Sequence, residues 1–214
     1  MESQAEGRFA RIAAFLTSLL QGAWILFKTG LCFVLFSLPV LTVFASFGAM
    51  MHCVWQMQAE KEFAVFRLFW KAFRAEALRT SAVGFVCILV CAAAAVSGTY
   101  YYFLTAGSAV HTLSIVFFAV LFLYSIFFLL SFLCANAHIS LPFGALLKNT
   151  AQYVFLALPA NFGLLLVLLL LLVLFYIRPP LLLLSPLAAG GFCWLSIAAH
   201  REKIEKYMLN PPGE

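Results

Sequence analysis

The chain has no aspartate, and none of its eight glutamates stands inside an apolar run. Of its thirteen lysines and arginines, only Lys28 lies well within a hydrophobic stretch. The chain is 65% hydrophobic, and its charges are confined to short connectors. Such segregation marks a polytopic membrane protein, because a charge in the hydrocarbon is costly. The missing intramembrane acid also removes the carboxylate that many proton-coupled carriers use. Further absences exclude enzyme classes. An intramembrane aspartyl protease needs two aspartates. A zinc peptidase needs His-Glu-x-x-His, which does not occur. No Gly-x-x-x-x-Gly-Lys-Ser/Thr loop is present, so the chain cannot supply its own ATP hydrolysis. His52, His111, His138 and His200 are far apart in sequence and read as packing or interfacial residues. The chain is therefore read as a non-enzyme with no catalytic residue, no cofactor and no metal site. Cys32, Cys53, Cys87, Cys91, Cys134 and Cys193 contain no Cys-x-x-Cys pair. Cys87 and Cys91 share a helix face, but two thiols make an incomplete metal site, and all six read as small apolar packing residues.

What is present is a series of apolar runs. A span needs roughly 20 mostly apolar residues. Six are read, at about 21–38, 41–57, 81–104, 110–134, 151–176 and 181–199, within one integral membrane domain over residues 1–214. In lipid every backbone polar group must be satisfied internally, so these runs read as helices and the fold as an all-α transmembrane bundle. The alternative has five spans, with 25–56 as one long helix kinked at Pro39.

The net charge of +5 could suggest nucleic acid, but the positive-inside rule accounts for it and no nucleic-acid partner is expected. With six spans, twelve of the thirteen cations fall on the cytoplasmic side and only Arg178 falls outside. Both termini are then cytoplasmic. The apolar region after Arg8 and Arg11 is too long for a signal peptide and lacks a small-x-small cleavage site, so it is expected to be retained.

Phe9, Ile12, Ala13, Leu16, Leu19 and Leu20 repeat at helical spacing and read as an amphipathic lead-in to the first span. Lys28, a turn inside that span, reads as a snorkelling anchor or an intramembrane polar contact, as does His52 for the second role. Pro39 ends or kinks the helix before it, and Thr42 is placed to cap the next one. Ala45 with Ala49, and Ala94 with Gly98, form small-residue faces that allow close helix approach.

The connector at about 60–79 reads as a separate interfacial amphipathic helix. Phe66, Phe69, Trp70, Phe73 and Ala77 make an apolar stripe. Arg67, Lys71 and Arg74 make a basic face, with Glu60, Glu62 and Glu76 as partners. Arg67, Trp70, Lys71, Phe73 and Arg74 are the candidate residues for docking a partner or lipid. Ser37-Leu38-Pro39 recurs as Ser140-Leu141-Pro142, a weak echo of the inverted repeats found in carriers.

These residues carry a resemblance. The stretch Leu35-Phe36-Ser37-Leu38-Pro39-Val40-Leu41-Thr42, a small-residue helix after it, and Phe69-Trp70-Lys71-Ala72-Phe73-Arg74 resemble the YesL-like bacterial integral membrane proteins. Leu147-Lys148-Asn149, Leu158-Pro159 and the charged tail are similar too. The chain departs from the pattern at Val43-Phe44-Ala45, where family members often carry a glycine. The resemblance implies a bacterial inner-membrane protein of unknown function, encoded beside carbohydrate-uptake systems, with no active site to carry over. The expected function is that of an accessory or scaffold protein. Its expected partners are the bilayer, the membrane subunit of a sugar ABC transporter, and further copies of itself. The alternative is a self-contained small-solute carrier without carboxylate proton coupling, using His52, Gln56, Thr29 and Asn161 as a polar path.

Overall fold

A computed structural model describes residues 21–39, 42–59, 64–104, 109–139 and 141–209. These form seven α-helices and, among the described residues, no strand. They are α1 (Gln21–Phe36), α2 (Val43–Ala59), α3 (Val65–Leu104), α4 (Ala109–His138), α5 (Phe143–Leu156), α6 (Leu158–Ile177) and α7 (Ser185–Ile204). A short 3-10 segment, Pro179–Leu184, leads into α7, and a π-turn, Glu205–Leu209, ends it. Four helical stretches are long and apolar enough to cross a membrane: Val65–Leu104, His111–His138, Leu158–Ile177 and Pro179–Tyr207. Their outward faces carry exposed Val116, Phe117, Val120, Leu166, Leu169, Leu170 and Val173. A belt of that kind is unfavourable in water and suits a lipid surround. Four helices of this length and composition suggest a membrane protein.

Two boundaries differ from those expected from the sequence. The connector helix and the third span are one unbroken helix, α3, of 40 residues. Between Ala77 and Val83 there is no proline or glycine, and the Thr80 hydroxyl bonds the Glu76 carbonyl behind it rather than capping a new start. At 1.5 Å per residue the helix is about 60 Å long, twice the roughly 30 Å hydrocarbon core, so much of it stands outside the membrane. The run at 151–176 is broken at Ala157 instead of being continuous. Pro159 lacks a backbone donor and occupies the first turn of α6, while Ala157 sits at φ −92°, ψ 2°. The residues before the break belong to α5, which starts back at Phe143. Around Pro39 the chain forms two helices and not the alternative long kinked one: α1 ends at Phe36 and α2 starts at Val43. Thr42 is turned back, its hydroxyl 2.6 Å from the Phe36 carbonyl oxygen and 2.7 Å from that of Pro39. It serves the open end of α1 rather than the start of α2. The lead-in at 9–20, Glu60, Glu62 and Ser140 lie outside the described residues.

The core is built where α2, α3, α4 and α7 meet, around Met50, Met51, Phe69, Phe132, Leu133 and Cys193. Small residues bring the backbones together, as the sequence expects. Gly48 lies against Thr80 and Leu133, and Gly98 against Phe118, while Ala45, Ala49 and Ala94 are buried. Two further glycines, unremarked in the sequence reading, join α1 to α7. Gly30 is pressed against the Pro186 backbone, and a Cβ on Gly190 would stand 2.6 Å from the Leu26 carbonyl oxygen.

Gly30→Ala is expected to force α1 off α7 and to destabilise the protein by about 1–3 kcal/mol, the usual cost of overpacking. Gly22 has open space around its Cβ position, so Gly22→Ala should be neutral or stabilise by up to ~1 kcal/mol. Thermal unfolding in detergent, followed by thiol-reactive dye uptake at the buried cysteines, checks both.

Candidate functional site: a basic and aromatic groove on α3

The first turns of α3 place residues 67, 70, 71 and 74 on one face by helical spacing. The opposite face is apolar. Phe69 and Ala72 are buried, and the Phe36 ring at the end of α1 lies 5.4 Å from Phe69, Trp70 and Phe73. The end of α1 thus clamps this stretch of α3 to the bundle. What remains outside is a groove of about 540 Å³ lined by Arg67, Trp70, Lys71, Arg74 and Ala75. Trp70 is 40% exposed and Phe66, beside it, 60%. The Arg74 guanidinium lies 5.9 Å from the Trp70 ring, a cation–π contact. Among the described residues no carboxylate lies within ion-pair distance of Arg67, Lys71 or Arg74. Four of the five docking candidates therefore line one groove. The fifth, Phe73, does not: it is stacked between Phe36, Phe69 and Trp70 and supports the groove from beneath.

The other candidates fall elsewhere. Lys28 is exposed, with Nζ 5.0 Å from the Trp24 ring. His52 lies on α2, half-buried, and its Nδ1 has no hydrogen-bond partner among the described residues. Pro39 and Thr42 form the α1–α2 turn. None of these lines the groove.

The groove stands at the end of the bundle where polar contacts gather. Asn136 donates to the Glu76 carboxylate, and the Arg79 guanidinium donates to the Leu141 carbonyl at 3.1 Å. These tie α3 to the last turn of α4 and to the α4–α5 connector. Nearby, Trp55 packs on His138 at 3.8 Å and under the Arg201 guanidinium at 5.2 Å, while Arg201 pairs with Glu205 at 3.1 Å. The Lys203 ammonium reaches the Leu156 carbonyl at 3.4 Å.

Behind this end lies a buried polar network that sequence reasoning missed. His200 donates from Nδ1 to the Ser196 carbonyl at 2.9 Å, and its Nε2 lies 3.2 Å from Asn161 Oδ1. Asn161 donates to the Ser131 hydroxyl at 3.1 Å, and the Tyr153 hydroxyl donates to the His200 carbonyl at 3.4 Å. Asn161, His200, Ser131 and Ser196 have no exposed surface. The network joins α4, α5, α6 and α7. Its one sequence signal was Asn161 inside an apolar run; the partners are 30 and 39 residues away and leave no local pattern.

A family of proteins of unknown function, DUF624, matches residues 18–97, which hold α1, α2 and most of α3 with its groove. No curated protein shows significant similarity to the chain. No solved structure does either.

Asn161→Ala removes the partner of His200 Nε2 and of the Ser131 hydroxyl in the interior. It is expected to cost about 1–3 kcal/mol, the usual penalty for stranding a buried polar group. Chemical or thermal unfolding in detergent measures it, and a neutral result would show that the network does not hold α6 to α4 and α7.

Proposed function

We propose that this chain is an accessory membrane protein that works by binding, not catalysis, and that it docks an acidic segment of a partner in the α3 groove. One observation carries this reading: Arg67, Lys71 and Arg74 surround an exposed tryptophan, with no carboxylate of the described residues neutralising them. Exposed cations are well solvated and cost little by themselves. Three on one rigid helix, however, make a patch that steers an acidic partner, and an aromatic–arginine pair is a common anchor at interfaces. The apolar side of the same helix is held by Phe36, so the groove is preformed and docking requires little ordering.

The positive-inside rule supports placing the groove in the cytoplasm. Arg79, Arg201 and Lys203 gather at the same end, and Arg178 stands beyond the far end of α6. Both termini are then cytoplasmic, in the inner membrane of a bacterium. The resemblance to YesL-like proteins supports a link to carbohydrate uptake, with the membrane subunit of a sugar ABC transporter as the partner to test first. The carrier alternative has less support. Asn161 is tied to Ser131 and His200, and the Thr29 hydroxyl to the Ile25 carbonyl, so two of the four groups for a polar path already have partners.

The triple variant Arg67→Glu, Lys71→Glu, Arg74→Glu is expected to lose the partner recovered by affinity purification from native membranes in mild detergent. The three side chains are exposed, so its thermal stability should stay within about 0.5 kcal/mol of wild type. Retention of every partner by the folded variant would sink the docking claim. Orientation has its own check: a cysteine in place of Arg178 should react with a membrane-impermeant maleimide in intact cells, and one in place of Arg74 should not.

A further inference from the structure

We propose that a cavity between α1, α2, α4, α6 and α7 holds the terminal segment of one acyl chain of a membrane lipid. The cavity has a volume of about 360 Å³ and draws its walls from all five helices. Phe47, Leu130 and Phe192 form its inner wall, and Leu130 and Phe192 are buried. Val34 and Leu172 stand at its mouth. They line the cavity and also belong to the lipid-facing surface, being 43% and 56% exposed. The space is therefore continuous with the apolar belt. Ser185 is the one hydroxyl-bearing residue of the lining, and it lies at the start of α7.

Two physical arguments select the occupant. An apolar cavity of this kind does not hold water, because water would find too few polar partners there. An empty one would forfeit dispersion contacts along every wall. In a bilayer the material at the mouth is acyl chain, which is as apolar as the leucines around it and enters with no polar group to desolvate. The dimensions agree. The lining runs from Leu168 to Phe175 on α6 and from Ser185 to Phe192 on α7, about 10 Å along each helix. That length takes the end of a chain and leaves the headgroup at the surface. The bound segment would fill the space between the α1–α2 and α6–α7 hairpins beside the tight contacts at Gly30 and Gly190.

The test uses the full chain in phosphatidylethanolamine–phosphatidylglycerol vesicles containing a phospholipid with a diazirine near the methyl end of one acyl chain. After irradiation, adducts are mapped by peptide mass spectrometry. Adducts on Leu130, Phe47 or Phe192 are expected beside those on the lipid-facing Leu170. The Ala188→Phe, Ala189→Phe variant fills the cavity and should lower the inner-wall adducts about tenfold by steric overlap while leaving those on Leu170 unchanged. If that variant does not fold, Leu171→Phe narrows the same space from α6. Adducts in the wild type confined to lipid-facing side chains, or an inner wall shielded because a second copy covers the mouth, would overturn the proposal.

Discussion

Helices in a bilayer gain nothing by moving leucine from lipid to protein, so this bundle depends on how closely its backbones approach. The close approaches are few and specific. Gly30 and Gly190 let α1 lie on α7; Gly48 and the alanines beside it let α2 meet α3 and α4; Gly98 receives Phe118. Around them the interior is filled by aromatic rings and methionines, which adapt to uneven gaps. Remove the close contacts, and the rings have no fixed backbone against which to pack.

Directional bonds gather at the end that carries the basic groove. The Glu76–Asn136 and Arg79–Leu141 bonds, the Trp55–His138–Arg201 stack and the His200–Asn161–Ser131 network each join helices distant in sequence. A buried hydrogen bond in lipid specifies one arrangement, because the alternatives leave groups unpaired. The end that carries the basic groove is thus fixed by directional bonds.

Much of this was legible in sequence, and the failures have physical causes. The apolar runs located most of the helices, though not α5, because exclusion of charge from hydrocarbon leaves a strong linear signal. The basic face on α3 was legible because helical spacing puts residues 67, 70, 71 and 74 side by side. That Phe73 lies beneath the groove is not legible, because an aromatic stripe looks the same whether it meets lipid or another ring; the position of Phe36 decides. The continuity of α3 was hidden by charge. The cations up to Arg79 looked like a connector, but a helix leaving the membrane has no need to stop. The break at Ala157 was written in Pro159, which the uninterrupted leucines after it outweighed in the reading. The His200 network had no local signature at all.

The unbroken length of α3 has a mechanical consequence. Gly84 is pinned beneath the Phe44 ring of α2, roughly 25 Å along the rod from Arg67 and about 30 Å from its other end. The rod is also held at its start by Phe36, at Glu76 and Arg79 by hydrogen bonds, and at Gly98 by Phe118. Force applied at Trp70 is not absorbed by a joint at the membrane surface, because there is none. It is passed instead to α2 and α4, which pack on α3 from Glu76 to Gly98.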